Sequence, residues 1–294
     1  VHHTVDVATV LQFGVNGLFV ATGYALVALG LTLIFGVLHV ADFAQGALYM
    51  LGAYVSFYAT QVGGVGYFAS VPLAMLVGAV LAAVNGGAVY LPLQRHGGAL
   101  TFVAALGVLL ILQNAALWWF GGDFRLVPSP FGDGKFTAGG VVLTHHQAFV
   151  LGATACLVLL LWVGLRYTKP GKALRAVAQQ PEAARLVGID SGRVGLLAFA
   201  VAGGLAGGAG ALMAPVRAFD PHMGAVVILK SFAIVIFGGM GSVPGALVGA
   251  VVVALAETFT AAYLAAEFAD LVAFGLMIAA LFARPQGLLG RVAA

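Results

Sequence analysis

Charge is missing from most of this chain over lengths that match the thickness of a bilayer. No Lys, Arg, Asp or Glu occurs between Phe43 and Gln94, His96 and Gly122, Phe136 and Leu165, Val194 and Val216, Ser231 and Ala256, or Leu271 and Ala283. Each run meets or approaches the roughly 20 residues that a helix needs to cross the hydrocarbon core. Lipid offers the backbone no hydrogen-bonding partner, so such runs must be helices or closed-barrel strands. The ten-residue polar/apolar alternation of barrel strands is absent here, so helices are expected. Charged residues make up 8% of the chain and mean hydropathy is +1.07, whereas soluble domains carry roughly 25% charge. The fold class is therefore all-α and polytopic.

Nine apolar segments are expected, at 9–38, 43–62, 68–92, 99–120, 146–166, 194–216, 224–239, 243–265 and 268–284. The first is longer than a perpendicular span requires, so it is either tilted or broken at one of Gly14, Gly17, Gly23 and Gly30. The seventh is short and carries Lys230, which leaves a half-helix or re-entrant segment open and sets the expected number of crossings at eight or nine. No cationic n-region with a small-residue cleavage site precedes the first segment, which reads as a retained span rather than a removed signal. The whole of 1–294 reads as one transmembrane domain.

The basic residues orient it. If every segment crosses, nine Lys and Arg lie on one side (Arg95, six from Arg166 to Arg193, Arg284 and Arg291), and three, Arg125, Lys135 and Arg217, lie on the other. The positive-inside rule then places the C-terminus and the 168–193 loop in the cytoplasm and the N-terminus outside. The net charge of +3 is small. Its placement points to membrane lipid, not nucleic acid, as the anionic partner. Trp118 and Trp119 sit where an aromatic belt would.

Thr168–Arg193 is the one long charge-bearing interruption. Leu174, Val177 and Ala178 form a short apolar helical face after Pro170-Gly171-Lys172. Pro181 can open a second short helix and Gly188 can close it. Two short helices joined at Gln179-Gln180, with Arg175 and Arg185 exposed, would lie along the membrane, either as a lipid-facing connector or as a docking surface.

Glycines cluster at Gly203, Gly204, Gly207, Gly208 and Gly210, a spacing that lets membrane helices approach closely. A second cluster, Gly238 to Gly245 with Pro244, is too broken for continuous helix and reads as a tight cytoplasmic turn.

Asp42, Phe43, Ala44, Gln45 and Gly46 open the second segment with a carboxyl, an amide and a glycine, and Tyr49 and Tyr54 follow along it. Two readings fit: an interrupted helix whose freed backbone groups face a cavity, or a capped helix start with the tyrosines in a packed interface. Lys230 and Glu257 fall at similar depth, about 10 Å in. An unpaired charge there costs around 3 kcal/mol, so two readings stand: they pair across neighbouring helices, or Lys230 snorkels outward and Glu257 faces a wet vestibule. Cys156 is the single cysteine and excludes a disulfide framework. His145-His146 and His2-His3 lack the i, i+4 spacing of two metal ligands on one helix face and read as surface or interface residues. No catalytic constellation stands out, and no G-x-x-x-x-G-K-[ST] loop is present. Any coupling to ATP must come from another chain.

Three ordered motifs carry a resemblance: Ala41-Asp42-Phe43-Ala44-Gln45-Gly46-Ala47-Leu48-Tyr49-Met50-Leu51-Gly52-Ala53-Tyr54, the basic loop ending in Leu186-Val187-Gly188-Ile189, and Phe237-Gly238-Gly239-Met240-Gly241-Ser242-Val243-Pro244-Gly245-Ala246. Together they resemble permease subunits of branched-chain amino-acid ABC importers, of the LivH and LivM kind, from about Gly17 to Gly290. The resemblance implies an ABC importer permease fold and several partners: a second related permease, two cytoplasmic ATPases that bind ATP and Mg, and an extracytoplasmic solute-binding protein. It implies no cofactor in this chain and a multi-pass location in the bacterial inner membrane. It also makes 168–193 the ATPase-coupling segment, with matches at Gly171, Ala173, Arg175, Ala176, Ala183 and Gly188, beside the exposed Arg185. Asp42, Phe43, Gln45, Tyr49 and Tyr54 become the candidate translocation path. Many members carry Asn-Phe-Ala-His-Gly where this chain has Asp42 to Gly46, a change of charge and the loss of a titratable group. Urea, short amides and small carboxylates therefore stand beside branched-chain amino acids as solutes. A stand-alone channel or ion-coupled carrier is the remaining alternative.

Overall fold

The computed structural model describes residues 7–94, 98–132, 134–284 and 286–290. Val1, His2, His3, Arg95 and Arg291 lie outside the described residues, and so does the orientation argument where it rests on them.

The apolar runs form helices: α1 (Val7–Leu38), α2 (Ala44–Gln61), α3 (Tyr67–Asn85), α4 (Leu91–Leu93), α5 (Gly98–Phe120), α6 (His145–Tyr167), α7 (Lys169–Gln179), α8 (Pro181–Leu186), α9 (Ser191–Met213), α10 (Met223–Gly238), α11 (Val243–Tyr263) and α12 (Glu267–Ala283). Among the described residues six stretches are long and apolar enough to cross a membrane, α3 and α4 counting as one rod, and α10 is a shorter apolar helix.

α1 is one continuous helix of 32 residues, unbroken at its glycines. It ends where His39 takes φ 57°, which turns Val40 to Asp42 back toward the bundle. A π-helical turn, Gly86–Tyr90, interrupts the α3–α4 rod.

α10 joins both ends of the bundle despite its 16 residues. On one side, the Phe219 strand residue before it bridges Arg125 in the loop after α5. On the other, Gly241 beyond its C-terminus lies against Gly36 near the end of α1. The turn between α10 and α11 covers residues 239–242, with Gly239 and Gly241 at positive φ and Ser242 capping α11 through Gly245 N–H at 3.2 Å. Leu288 and Leu289 N–H donate to the Phe237 and Gly238 carbonyls, so the C-terminal segment satisfies acceptors that α10 leaves open.

The core is built on backbone-to-backbone contact. A Cβ at Gly52 would fall on the Gly207 carbonyl, one at Gly210 on the Tyr49 carbonyl, and one at Gly78 on the Gly203 carbonyl. α9 therefore sits against α2 and α3 at van der Waals distance, and small residues there are a geometric requirement. Phe199, Leu212, Leu29 and Ile34 are fully or almost fully buried around it. α6 is peripheral: Leu159, Leu160 and Trp162 are exposed in the single chain, as lipid-facing side chains would be.

An element outside the sequence expectation is the antiparallel hairpin β1 (Lys135–Ala138) and β2 (Val141–Thr144), with Ala138 opposite Val141. Gly139 and Gly140 between them both have positive φ. Gly-Gly between two β-favouring stretches is a two-residue hairpin signal. The α6 N-terminus follows directly, closed by a capping box in which Thr144 and Gln147 exchange hydrogen bonds of 3.1 and 3.0 Å.

Candidate functional site

The start of α2 is a sealed polar knot. Asp42 is 1% exposed and Gln45 is fully buried. The Asp42 carboxyl accepts from Ala44 N–H at 3.0 Å, from Gln45 Nε2 at 2.9 Å and from the Tyr90 hydroxyl. The π-helical turn sets Tyr90 in place, and its ring stacks on Phe199 at 4.9 Å. Such turns occur frequently at functional sites in helices. Asp42 serves the first turn of α2 as a cap does, and it also binds a tyrosine from another helix. Phe43, also buried, packs its ring 5.2 Å from Phe102 and 5.3 Å from Phe232.

The rest of the knot defines a test. Asp42→Leu would strip an acceptor from three buried donors, each worth about 1–3 kcal/mol if left unpaired. Asn keeps one oxygen, and its amide can donate to Gln45 Oε1, which has no partner here. Thermal unfolding in detergent should therefore place Asp42→Asn within about 1 kcal/mol of the parent, with Asp42→Leu far below it. Equal losses would show that the knot contributes little.

Farther along α2, the two tyrosines separate. Tyr54 stacks on Phe120 at 4.5 Å and meets Phe219 edge-on at 5.1 Å, a packed aromatic cluster. Tyr49 instead lines a cavity of about 230 Å³ between α2, α9 and the residues before α10. The five candidate path residues thus divide among a sealed knot, an open cavity and a packed cluster.

Lys230 and Glu257 come together, with Nζ 3.2 Å from Oε1. Two further groups join them that sequence spacing did not indicate. Asp270, in the first turn of α12, lies 2.7 Å from the same Nζ, and the Tyr24 hydroxyl donates to Glu257 Oε2 at 3.1 Å. One ammonium, two carboxylates and a phenol, each from a different helix, thus form one cluster.

The 168–193 segment has one anchored side and one bare side. Thr168 caps α7 by accepting from Gly171 N–H at 3.1 Å. A Cβ at Gly171 would strike the Gly164 carbonyl and Leu165, which locks α7 to the end of α6. Leu174 and Val177 are buried, while Ala173, Ala176 and Ala178 pack against the core from partly buried positions. Gln180 breaks the helix, Pro181 opens α8, and Gly188 at φ 84° closes it.

Outward, Arg175 donates to the Arg166 carbonyl at 3.2 Å and Arg185 to Ser191 Oγ at 3.2 Å. Ala183 is exposed between them. At the apex Leu186 and Val187 are 89% and 76% exposed. From sequence, Arg175 and Arg185 are expected to be exposed, whereas Leu186 and Val187 stand only as part of a motif, with no expectation that they form an exposed apolar tip. Beneath the segment lies a cleft of about 920 Å³, lined by His39, Gln94, Arg185 and Asp190 among others.

The family described as branched-chain amino acid transport system, permease component, matches residues 14–281. The chain is 33% identical over 295 residues to the high-affinity branched-chain amino acid transport system permease protein LivH of Escherichia coli (strain K12), covering 96% of each. It is 29% identical over 276 residues to the probable branched-chain amino acid transport permease protein LivH of Methanocaldococcus jannaschii, covering 90% of this chain and 88% of that one. Against the permease protein LivM of the same Escherichia coli strain it is 26% identical over 317 residues, covering 97% of this chain and 70% of the other. A helical, multi-pass chain matched along nearly its whole length in this way belongs to the branched-chain amino acid transport permease family and is an importer permease subunit, not an enzyme.

Proposed function

We propose that this chain forms one half of the translocation path of an ATP-driven importer for branched-chain or related amino acids in a bacterial cytoplasmic membrane, paired with a second, LivM-like permease. Two ATPases on the cytoplasmic side bind ATP and Mg, and a solute-binding protein delivers cargo from outside. The N-terminus faces outward and the C-terminus inward on this reading.

The observation that carries the coupling role is the bare apex of α8. Two large aliphatic side chains stand almost fully exposed on a segment whose other face is fastened to α6 and the core. Exposed apolar groups rimmed by charge mark a protein contact, and Arg175 and Arg185 supply the rim. Force applied to this tip passes through Gly171 into α6 and through Leu174 and Val177 into the bundle. Asp42, Gln45 and Tyr90 close the inner end of α2, so passage to the cytoplasm requires that knot to part.

Arg175→Glu tests the assignment. The chain should still insert and pair with its partner permease, while the ATPases dissociate in mild detergent or hydrolyse ATP without uptake. Retention of both ATPase association and transport would remove Arg175 from the coupling role. ATP-independent uptake by the purified single chain would instead support the channel or carrier reading.

A further inference from the structure

The cavity beside Tyr49 holds two charges with unused capacity. Arg217 and Asp220 both line it, yet they form no ion pair with each other. Among the described residues the Arg217 guanidinium has no hydrogen-bond partner, its backbone N–H alone donating to the Met213 carbonyl at 3.2 Å, and Asp220 accepts through its side chain only from His222 N–H, at 3.2 Å through Oδ2. The Tyr49 hydroxyl likewise has no partner and is not sealed from the cavity. The remaining wall is aliphatic, with Met213, Val226 and Val227 prominent. A cationic group, an anionic group and a hydroxyl beside an apolar wall provide the parts needed for a molecule with both charges on one end and a hydrocarbon on the other.

We propose that this cavity is a subsite for a zwitterionic α-amino acid with an aliphatic side chain, with Arg217 receiving the carboxylate, Asp220 the ammonium, and Met213, Val226 and Val227 the side chain. The inference rests on the importer reading above and sharpens it. The volume of about 230 Å³ falls below the ~300–1,000 Å³ of sites for drug-sized ligands, as a small solute requires. Selectivity follows from what a wrong solute leaves unpaired. Urea and short amides carry neither full charge, and a simple carboxylate satisfies Arg217 but leaves Asp220 facing a like charge. Sites built from polar groups discriminate strongly against ligands that lack the matching group. On the outward side of the sealed Asp42 knot, the cavity is a first stop for solute released by the binding protein. Gly210 helps to keep the α2–α9 junction tight at its base, since a side chain there would meet the Tyr49 carbonyl.

The test uses the complete complex in proteoliposomes with leucine-loaded binding protein. Arg217→Gln and Asp220→Asn should each lower ATP-driven leucine uptake about tenfold or more, the scale of one lost charge-assisted contact. Stimulation of ATP hydrolysis by the loaded binding protein should persist, and Arg217→Lys should restore part of the uptake. Val226→Ala with Val227→Ala should shift preference from leucine toward alanine. Leucine uptake unchanged in both charge variants would overturn the subsite alone. Loss of ATPase stimulation together with uptake would also overturn it, because the two residues would then be docking the binding protein. A wild-type complex that moves urea or a short amide and not leucine would overturn the importer-substrate reading and this site with it.

Discussion

Lys230→Met should destabilise the protein by about 3–5 kcal/mol, the cost of leaving a buried carboxylate without its counter-charge. The Lys230 and Glu257 side chains are 11% and 7% exposed, whereas Asp270 is 61% exposed. Removing the ammonium leaves Glu257 with only the Tyr24 hydroxyl, while Asp270 can turn to solvent or headgroups. The converse change, Glu257→Gln, should cost less, because Lys230 keeps Asp270 at 2.7 Å and the new amide can still accept from Tyr24. The double variant Lys230→Met, Glu257→Gln should recover most of the loss. A double-mutant cycle on equilibrium unfolding in detergent measures the coupling directly. Additive single and double effects would mean that the cluster is solvated and the pairing energetically idle.

The second large effect is expected at a glycine, and its size depends on position alone. Gly52→Ala places a methyl group on the Gly207 carbonyl, an atom fixed in the α9 backbone, so the two helices must separate. Overpacking of this kind costs about 1–3 kcal/mol and occasionally more, and the larger figure fits a clash against backbone. Gly107→Ala, in α5, meets nothing within 4 Å. It should be neutral or stabilising by up to about 1 kcal/mol, through helix propensity. Comparing the melting temperatures of these two variants isolates packing from propensity. Similar shifts in both would contradict the close α2–α9 contact.

Much of the architecture was legible in the chain because bilayer solvation acts locally. A run of apolar residues must become helix, and its length fixes where the helix can end. The expected 43–62, 99–120 and 146–166 differ from α2, α5 and α6 by a residue or so at each end. Helix starts and stops are also local, so Pro181 and Gly188 could be read as the punctuation of α8 from neighbouring residues, whereas the Thr168 cap of α7 emerged only in the structure. The β1–β2 hairpin was equally local in its Gly139-Gly140 turn, but it lay in a stretch read only as an outer loop.

What the sequence by itself determined is therefore the membrane class, the set of apolar segments and the pair of short amphipathic helices between Thr168 and Arg193. Only the tertiary structure decided partnership across the bundle. Tyr90 reaches Asp42 from 48 residues away, Asp270 completes the Lys230 cluster, and Arg217 and Asp220 remain unpaired in one cavity. It also distinguished Gly52, which touches a backbone carbonyl, from Gly107, which touches nothing. The physical reason is one of range. Hydropathy and capping sum over residues adjacent in sequence, whereas partner choice depends on helix register and crossing, which are fixed only when all the helices pack at once.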